Sequence, residues 1–131
     1  MRFLRGKGVY AGLFLRLGLG FMFAWFGVDK FFNPEAWTGF IAPFILKVVP
    51  FSATAFIYFL GVVEGVVGVL LLLGLFTREA ALVASLVLLG ITTTIGFNDI
   101  TVRDISSLGA AVALMLVPGS VFALDNLRKA R

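Results

Sequence analysis

Apolar residues dominate four long stretches of the chain, separated by short polar breaks. The first stretch, 9–32, follows a basic start containing Arg2, Arg5 and Lys7. It is too long for the apolar core of a signal peptide, contains Arg16 and lacks a small-x-small cleavage pattern, so it reads as a retained helix. Residues 51–76 make a second span. Thr77-Arg78-Glu79 forms a tight polar turn into a third at 80–97, and Asn98-Asp99 opens the next turn. A fourth span runs over 104–124, with Pro118-Gly119 expected to bend it. Each run is close to the ~20 residues that cross a hydrocarbon core.

The segment between the first two spans has a different pattern. Asn33, Pro34 and Glu35 together predict a helix start. Trp37, Phe40, Ile41, Phe44 and Ile45 then recur at helical spacing, but Pro43 and Lys47 interrupt and Pro50 closes the segment. Residues 34–48 are too few to span and too apolar for free solution, which predicts an interfacial or re-entrant segment. Residues 125–131 form a short charged tail. The expected fold is all-α: one domain over 1–131, a four-transmembrane-helix bundle with a short interfacial helical segment between helices 1 and 2.

Composition agrees with a lipid environment. Of the 131 residues 60% are hydrophobic, and mean hydropathy is +1.06. A soluble domain of this length has too little interior for that much apolar surface. The formal charge of +4 does not indicate nucleic acid, because the basic residues sit at helix ends and not along one stripe. Arg2, Arg5, Lys7, Arg78, Arg128, Lys129 and Arg131 fall on one side of the expected topology; Lys30, Lys47 and Arg103 fall on the other. That asymmetry predicts an integral protein of the cell membrane with cytoplasmic N- and C-termini. The chain has no Cys and no His. No disulfide, iron–sulfur cluster, dithiol relay, haem or His/Cys metal site is expected, and redox chemistry would need a bound organic cofactor or a partner subunit.

Ionisable groups inside a bilayer are costly and need a partner or a purpose. Arg16 lies roughly 12 Å past Gly8, and Glu64 roughly 16 Å before the inner end of the second span, at 1.5 Å per residue. The two spans run in opposite directions, so an Arg16–Glu64 pair is expected inside the bundle. Gly12, Arg16, Gly20, Phe23, Gly27 and Lys30 share one stripe of the first helix; Gly61, Glu64, Gly65 and Gly68 share one on the second. Glycine stripes let helices approach closely in lipid. On the third helix Ala81, Ser85, Thr92 and Gly96 roughly share a face. A second polar cluster gathers at the outer end from Asp29, Lys30, Asn98, Asp99, Arg103 and Asp104. The pair can fix helix register, or it can form a polar pocket with a proton site at Glu64. Most of the fifteen Phe are expected to face lipid or fill the core, and the alternative is that they line an apolar ligand cavity.

These residues resemble the DoxX-like membrane proteins. The first helix has the pattern Arg16…Gly20…Gly27-x-x-Lys30. The second carries Glu64, Gly68 and then Leu71-Leu72-Leu73-Gly74-Leu75-Phe76-Thr77-Arg78. The fourth opens with Arg103-Asp104 and ends with Gly119 and Ala123-Leu124-Asp125. The resemblance implies a four-helix membrane bundle tied to respiratory or sulfur redox systems, such as a small subunit of a quinol oxidase or thiosulfate:quinone oxidoreductase. On that reading a quinone is the cofactor and oxidoreductase activity requires a partner subunit. Arg16 or Lys30 would donate to a quinone carbonyl or hold an anion, Glu64 or Asp104 would exchange protons, and Arg103 would add to the ligand site. Two other functions remain open. One is a non-catalytic scaffold or assembly factor. The other is a proton-coupled transporter of a small amphipathic molecule, for which four helices would require a homo-oligomer.

Overall fold

The computed structural model describes residues 7–95, 97–117 and 119–129. Arg2, Arg5, Gly96, Pro118 and Arg131, which entered the topology, third-helix and bend expectations, lie outside the described residues, as do the side chains of Arg128 and Lys129. The described elements are all helical: α1 Gly8–Phe32, α2 Pro34–Thr38, α3 Pro43–Val48, α4 Ala53–Leu73, α5 Thr77–Ile95, α6 Asp99–Leu116 and α7 Asp125–Lys129.

The helix ends follow local chemistry. α1 stops at Asn33, which has left the helical region (φ −132°, ψ 55°) because Pro34 disfavours the helical conformation in the residue before it. The expected interfacial segment is two short helices, since Pro43 starts a new one at its first position. Ser52 caps α4 by accepting from the Ala55 N–H at 3.2 Å. Gly74 ends α4 in the left-handed region (φ 68°), and the Leu75 N–H returns to the Leu70 carbonyl at 3.0 Å, the Schellman pattern. Asn98 caps α6 by accepting from the Thr101 N–H at 3.0 Å.

Two boundaries differ from expectation. Thr77-Arg78-Glu79 is the first turn of α5 and not a loop. The Asp125 carboxylate supplies the cap instead, accepting from the Phe76 and Thr77 N–H groups at 2.9 Å each. α6 starts five residues earlier than the expected Asp104 and ends at Leu116 instead of continuing bent to 124; Val117 is extended (φ −69°, ψ 128°), again ahead of a proline.

α1, α4 and α5 are long and apolar enough to cross a membrane. α6 differs: Asp99, Arg103 and Asp104 fall in its first turns, and the apolar remainder, 105–116, rises only about 18 Å. Large apolar side chains point outward, among them Phe14, Phe21 and Trp25 on α1 and Leu89 on α5, as expected of a surface solvated by lipid.

α1 packs antiparallel along α4, α5 packs along α6, and the two pairs meet in one core. That core lies toward the end holding the α4–α5 turn. It contains Leu19 and Phe23 of α1, Val67 and Leu71 of α4, Ala80, Ala81, Ala84 and Leu88 of α5, and Ala111 and Leu114 of α6. Alanine on α5 brings that helix close to its neighbours at this inner end. The α1–α4 seam is built on glycine: a Cβ on Gly27 would lie 2.8 Å from Gly65 Cα, and one on Gly20 would lie 3.0 Å from the Leu72 N. Both glycine stripes face inward, with Gly12, Arg16, Gly20, Phe23, Gly27 and Lys30 buried on α1 and Gly61, Glu64 and Gly68 on α4.

Candidate functional site

Toward the outer end the two helix pairs part around a cavity of about 320 Å³. α1 contributes Met22, Phe23, Phe26 and Lys30, and α4 contributes Phe56, Ile57, Leu60 and Glu64. α5 presents a face including Val87, Ile91 and Thr94; α6 adds Ile100, Arg103 and Asp104; Trp37, Phe40, Ile41 and Ile45 close the outer side. The walls are aromatic and aliphatic except for a few polar groups.

Those groups form two ion pairs, one on each helix pair. Lys30 Nζ bonds to Glu64 Oε2 at 2.5 Å, and both side chains are about 4% exposed. The Lys30 ammonium also stands 3.8 Å from the Trp37 ring centroid, a cation–π contact strengthened by desolvation. Asp29 holds that ring: its Oδ2 accepts from Trp37 Nε1 at 2.8 Å, while its Oδ1 accepts from Asn33 Nδ2 at 2.7 Å. Across the cavity Arg103 Nη2 pairs with Asp104 Oδ1 at 2.9 Å, the Asp104 side chain 5% exposed and that of Arg103 47%. The Arg103 guanidinium lies 4.9 Å from the Phe26 ring centroid, so it links the α5–α6 pair to α1.

The sequence profile of the DoxX family matches residues 11–97, which runs from the first turn of α1 through α5 and includes both partners of the Lys30–Glu64 pair. The chain belongs to the DoxX family. Residues beyond 97, including Arg103 and Asp104, fall outside the match. Comparison with curated proteins and with solved structures returns no match.

In this DoxX chain Lys30, Glu64, Arg103 and Asp104 line one cavity, whereas Arg16 does not. The expected Arg16–Glu64 pair is therefore corrected: Glu64 pairs with Lys30. The reason is register. Gly20 faces Leu72, Ala24 faces Gly68 and Gly27 faces Gly65. Continued along both helices, that alignment sets Arg16 level with Phe76 and Glu64 level with Val28. α1 overshoots the inner end of α4 by about three turns, so a depth counted from Gly8 puts Arg16 too far into the bundle.

Arg16 instead ties the inner end together. It is 1% exposed, and its guanidinium donates to the Leu71 carbonyl at 3.2 Å, the Leu72 carbonyl at 3.1 Å and the Phe122 carbonyl at 3.1 Å. The first two are carbonyls of the last turn of α4, where a cation is favoured, and the Leu71 carbonyl also accepts the Gly74 N–H at 3.2 Å. Asp125 is its counter-charge, and backbone bonds from Leu124 N to Leu73 O and Asp125 N to Gly74 O complete the knot.

Trp37 and Phe26 are site residues that the sequence reading misses, and Asp29 enters it only as a member of the outer polar cluster, without its partners Trp37 and Asn33. An acid one residue from a buried lysine, followed within eight positions by a tryptophan across a proline turn, was the available sign. It acquires meaning only once the chain is known to double back there.

Proposed function

We propose that this DoxX protein is the quinone-binding subunit of a membrane redox complex, with the cavity between the helix pairs as the quinone site. The observation that carries the reading is the joining of Lys30, Glu64, Arg103 and Asp104 in one aromatic-lined cavity of about 320 Å³. That volume lies at the small end of ligand sites, and an apolar wall with few polar groups is their usual chemistry. A planar ring bearing two carbonyls fits such walls. A bound quinone supplies a carrier of two electrons and two protons. Lys30 keeps N–H donors beyond the one given to Glu64, and Arg103 keeps donors beyond those given to Asp104, so both can hold a carbonyl oxygen. Glu64 and Asp104 are the carboxylates that exchange protons. The electrons pass to or from a partner subunit, because the chain has no Cys or His to hold a metal redox centre.

The same reading makes α6 a fourth span. Asp104 is buried against the bundle, so its cost in lipid is met by Arg103. It also takes both termini as cytoplasmic, supported by the excess of Lys and Arg on the side of the topology that holds the two termini and the Arg78 turn.

The test is purification in mild detergent, solvent extraction and mass spectrometry of co-purified small molecules. A quinone near one per chain, lost in Glu64→Gln, is expected; only bulk phospholipid, unchanged by the substitution, would overturn the reading. One observation favours a scaffold instead: each ion pair is already closed on itself. On that alternative Glu64→Gln would reduce recovery of a partner subunit and leave the turnover of the recovered complex unchanged.

A further inference from the structure

Behind the cavity, a second depression of about 620 Å³ runs along the outer surface between α1 and α6. Its α1 side extends from Ala11 to Met22, a rise of about 16 Å. Much of its floor is small: Gly18, where an added Cβ would meet nothing within 4 Å, and Ser106, Ser107 and Ala110 of α6. Met22 lines both this groove and the polar cavity, and the Ser107 hydroxyl donates to the Met22 sulfur at 3.4 Å across the α1–α6 gap. Met22, common to the linings of cavity and groove, is an unbranched thioether with three rotatable bonds, a side chain that adapts readily to a neighbour.

We infer that the ligand of this site is a long-tailed amphiphile whose head occupies the cavity and whose hydrocarbon tail leaves past Met22 into the α1–α6 groove. The inference rests on the cavity being a ligand site and adds the path by which a membrane-dissolved molecule reaches it. On both helices the groove residues follow those of the cavity wall: α1 passes from Lys30 and Phe26 to Met22, Leu19 and Gly18, and α6 from Asp104 to Ser107 and Ala110. A head drawn from the bilayer midplane then reaches Lys30 and Glu64 without crossing the aqueous interface. In lipid a tail gains no hydrophobic energy on entering the groove, because acyl chains outside are equally apolar. What it gains is packing against a fixed surface, so the contribution is modest and removable by filling the groove.

Gly18→Leu and Ala110→Leu fill it, and Gly109→Leu is the control: Gly109 is on the same helix as Ala110, has open space at its Cβ and lies outside the groove lining. The probes are a tailless benzoquinone head and its decyl-tailed counterpart. Binding to the full chain in detergent is read by quenching of Trp37 in a Trp25→Phe background. Comparing each variant with wild type for the same probe removes the partitioning of the tail into micelles. The expected result is that Gly18→Leu and Ala110→Leu weaken the tailed probe about fivefold or more, leave the tailless head unchanged, and that Gly109→Leu changes neither. Equal affinity for the tailed probe in all variants overturns the tail path while the headgroup site stands. A change of oligomeric state in Gly18→Leu, read by light scattering, also overturns it, because the groove then seats a second helix. Absence of any tailless binding to wild type overturns the site itself, a failure distinct from the other two.

Discussion

The Lys30–Glu64 pair is where burial and charge conflict most sharply. Two groups about 4% exposed at their side chains gain from each other only what desolvation has taken, and removing one partner strands the other. Glu64→Leu is therefore expected to lower stability by about 3–5 kcal/mol, read as thermal unfolding in detergent, because the buried Lys30 ammonium loses its bonded carboxylate and keeps the Trp37 and Phe26 ring faces in its place. The double variant Lys30→Met/Glu64→Leu is expected to recover most of that loss and still to retain no quinone. A double variant as unstable as the single would mean that the pair contributes to packing beyond its charges. At Trp37 the expected effect of Ala is a loss of about 1–2 kcal/mol, seen in wild-type background as weaker retention of quinone if the proposed site holds one. Each of these charges was legible in the sequence as an ionisable residue on a glycine-lined face. Their pairing was not, because it depends on how far α1 slides past α4, and nothing local to Arg16, Lys30 or Glu64 encodes that offset. The same applies to Asp29, whose contact with Trp37 depends on the turn at Asn33-Pro34.

Among elements, the α1–α4 seam and the inner knot set that offset. At Gly27 a methyl would fall against the Gly65 backbone, whereas at Gly65 it would meet nothing within 4 Å. Gly27→Ala is accordingly expected to cost about 1–3 kcal/mol through overpacking, and Gly65→Ala to be near neutral. Unfolding midpoints that move together in the two variants would contradict this register. The inner knot joins four elements through Arg16 and Asp125. Asp125→Ala removes the cap of α5 and the counter-charge of Arg16 at once, so a loss above the ~1 kcal/mol of an ordinary cap is expected, checked by the same unfolding measurement against Asp125→Asn. Helices α1 and α4 were legible because their signals are local: an apolar run, a proline after the first, Ser52 and Gly74 around the second. The start of α5 was not, since its cap lies 48 residues away on Asp125, and Thr77-Arg78-Glu79 taken alone is as suitable for a turn as for a first turn of helix. α6 differs from expectation at both ends although its cap, Asn98, is local. The charges at Arg103-Asp104 resemble a polar helix start, but Asn98 has already begun the helix and these two side chains line the cavity.

Across the whole molecule, the alanine-rich core and the Arg16–Asp125 knot hold the two helix pairs together at one end and leave them apart at the other. That arrangement gives the cavity two lateral edges, one between α4 and α5 and one between α1 and α6. The chain contains no Cys, so each edge can be closed separately by an introduced pair and a short bismaleimide. Leu60→Cys with Leu86→Cys lies across the α4–α5 edge, since both residues line the cavity from opposite helices. Leu15→Cys with Ala110→Cys lies across the α1–α6 groove. If the ligand's tail leaves past Met22, cross-linking the second pair is expected to stop exchange of bound for free decyl-quinone, and cross-linking the first to leave exchange close to the uncross-linked rate. The reverse result would assign the portal to α4–α5 and make the α1–α6 groove an ordinary lipid-filled seam. Blocked exchange in both would mean that the pairs must move apart as rigid bodies about the inner knot before any ligand enters. In that case loosening the knot with Asp125→Ala should speed exchange in the uncross-linked protein, which ties the conformational question back to one carboxylate at the opposite end of the bundle.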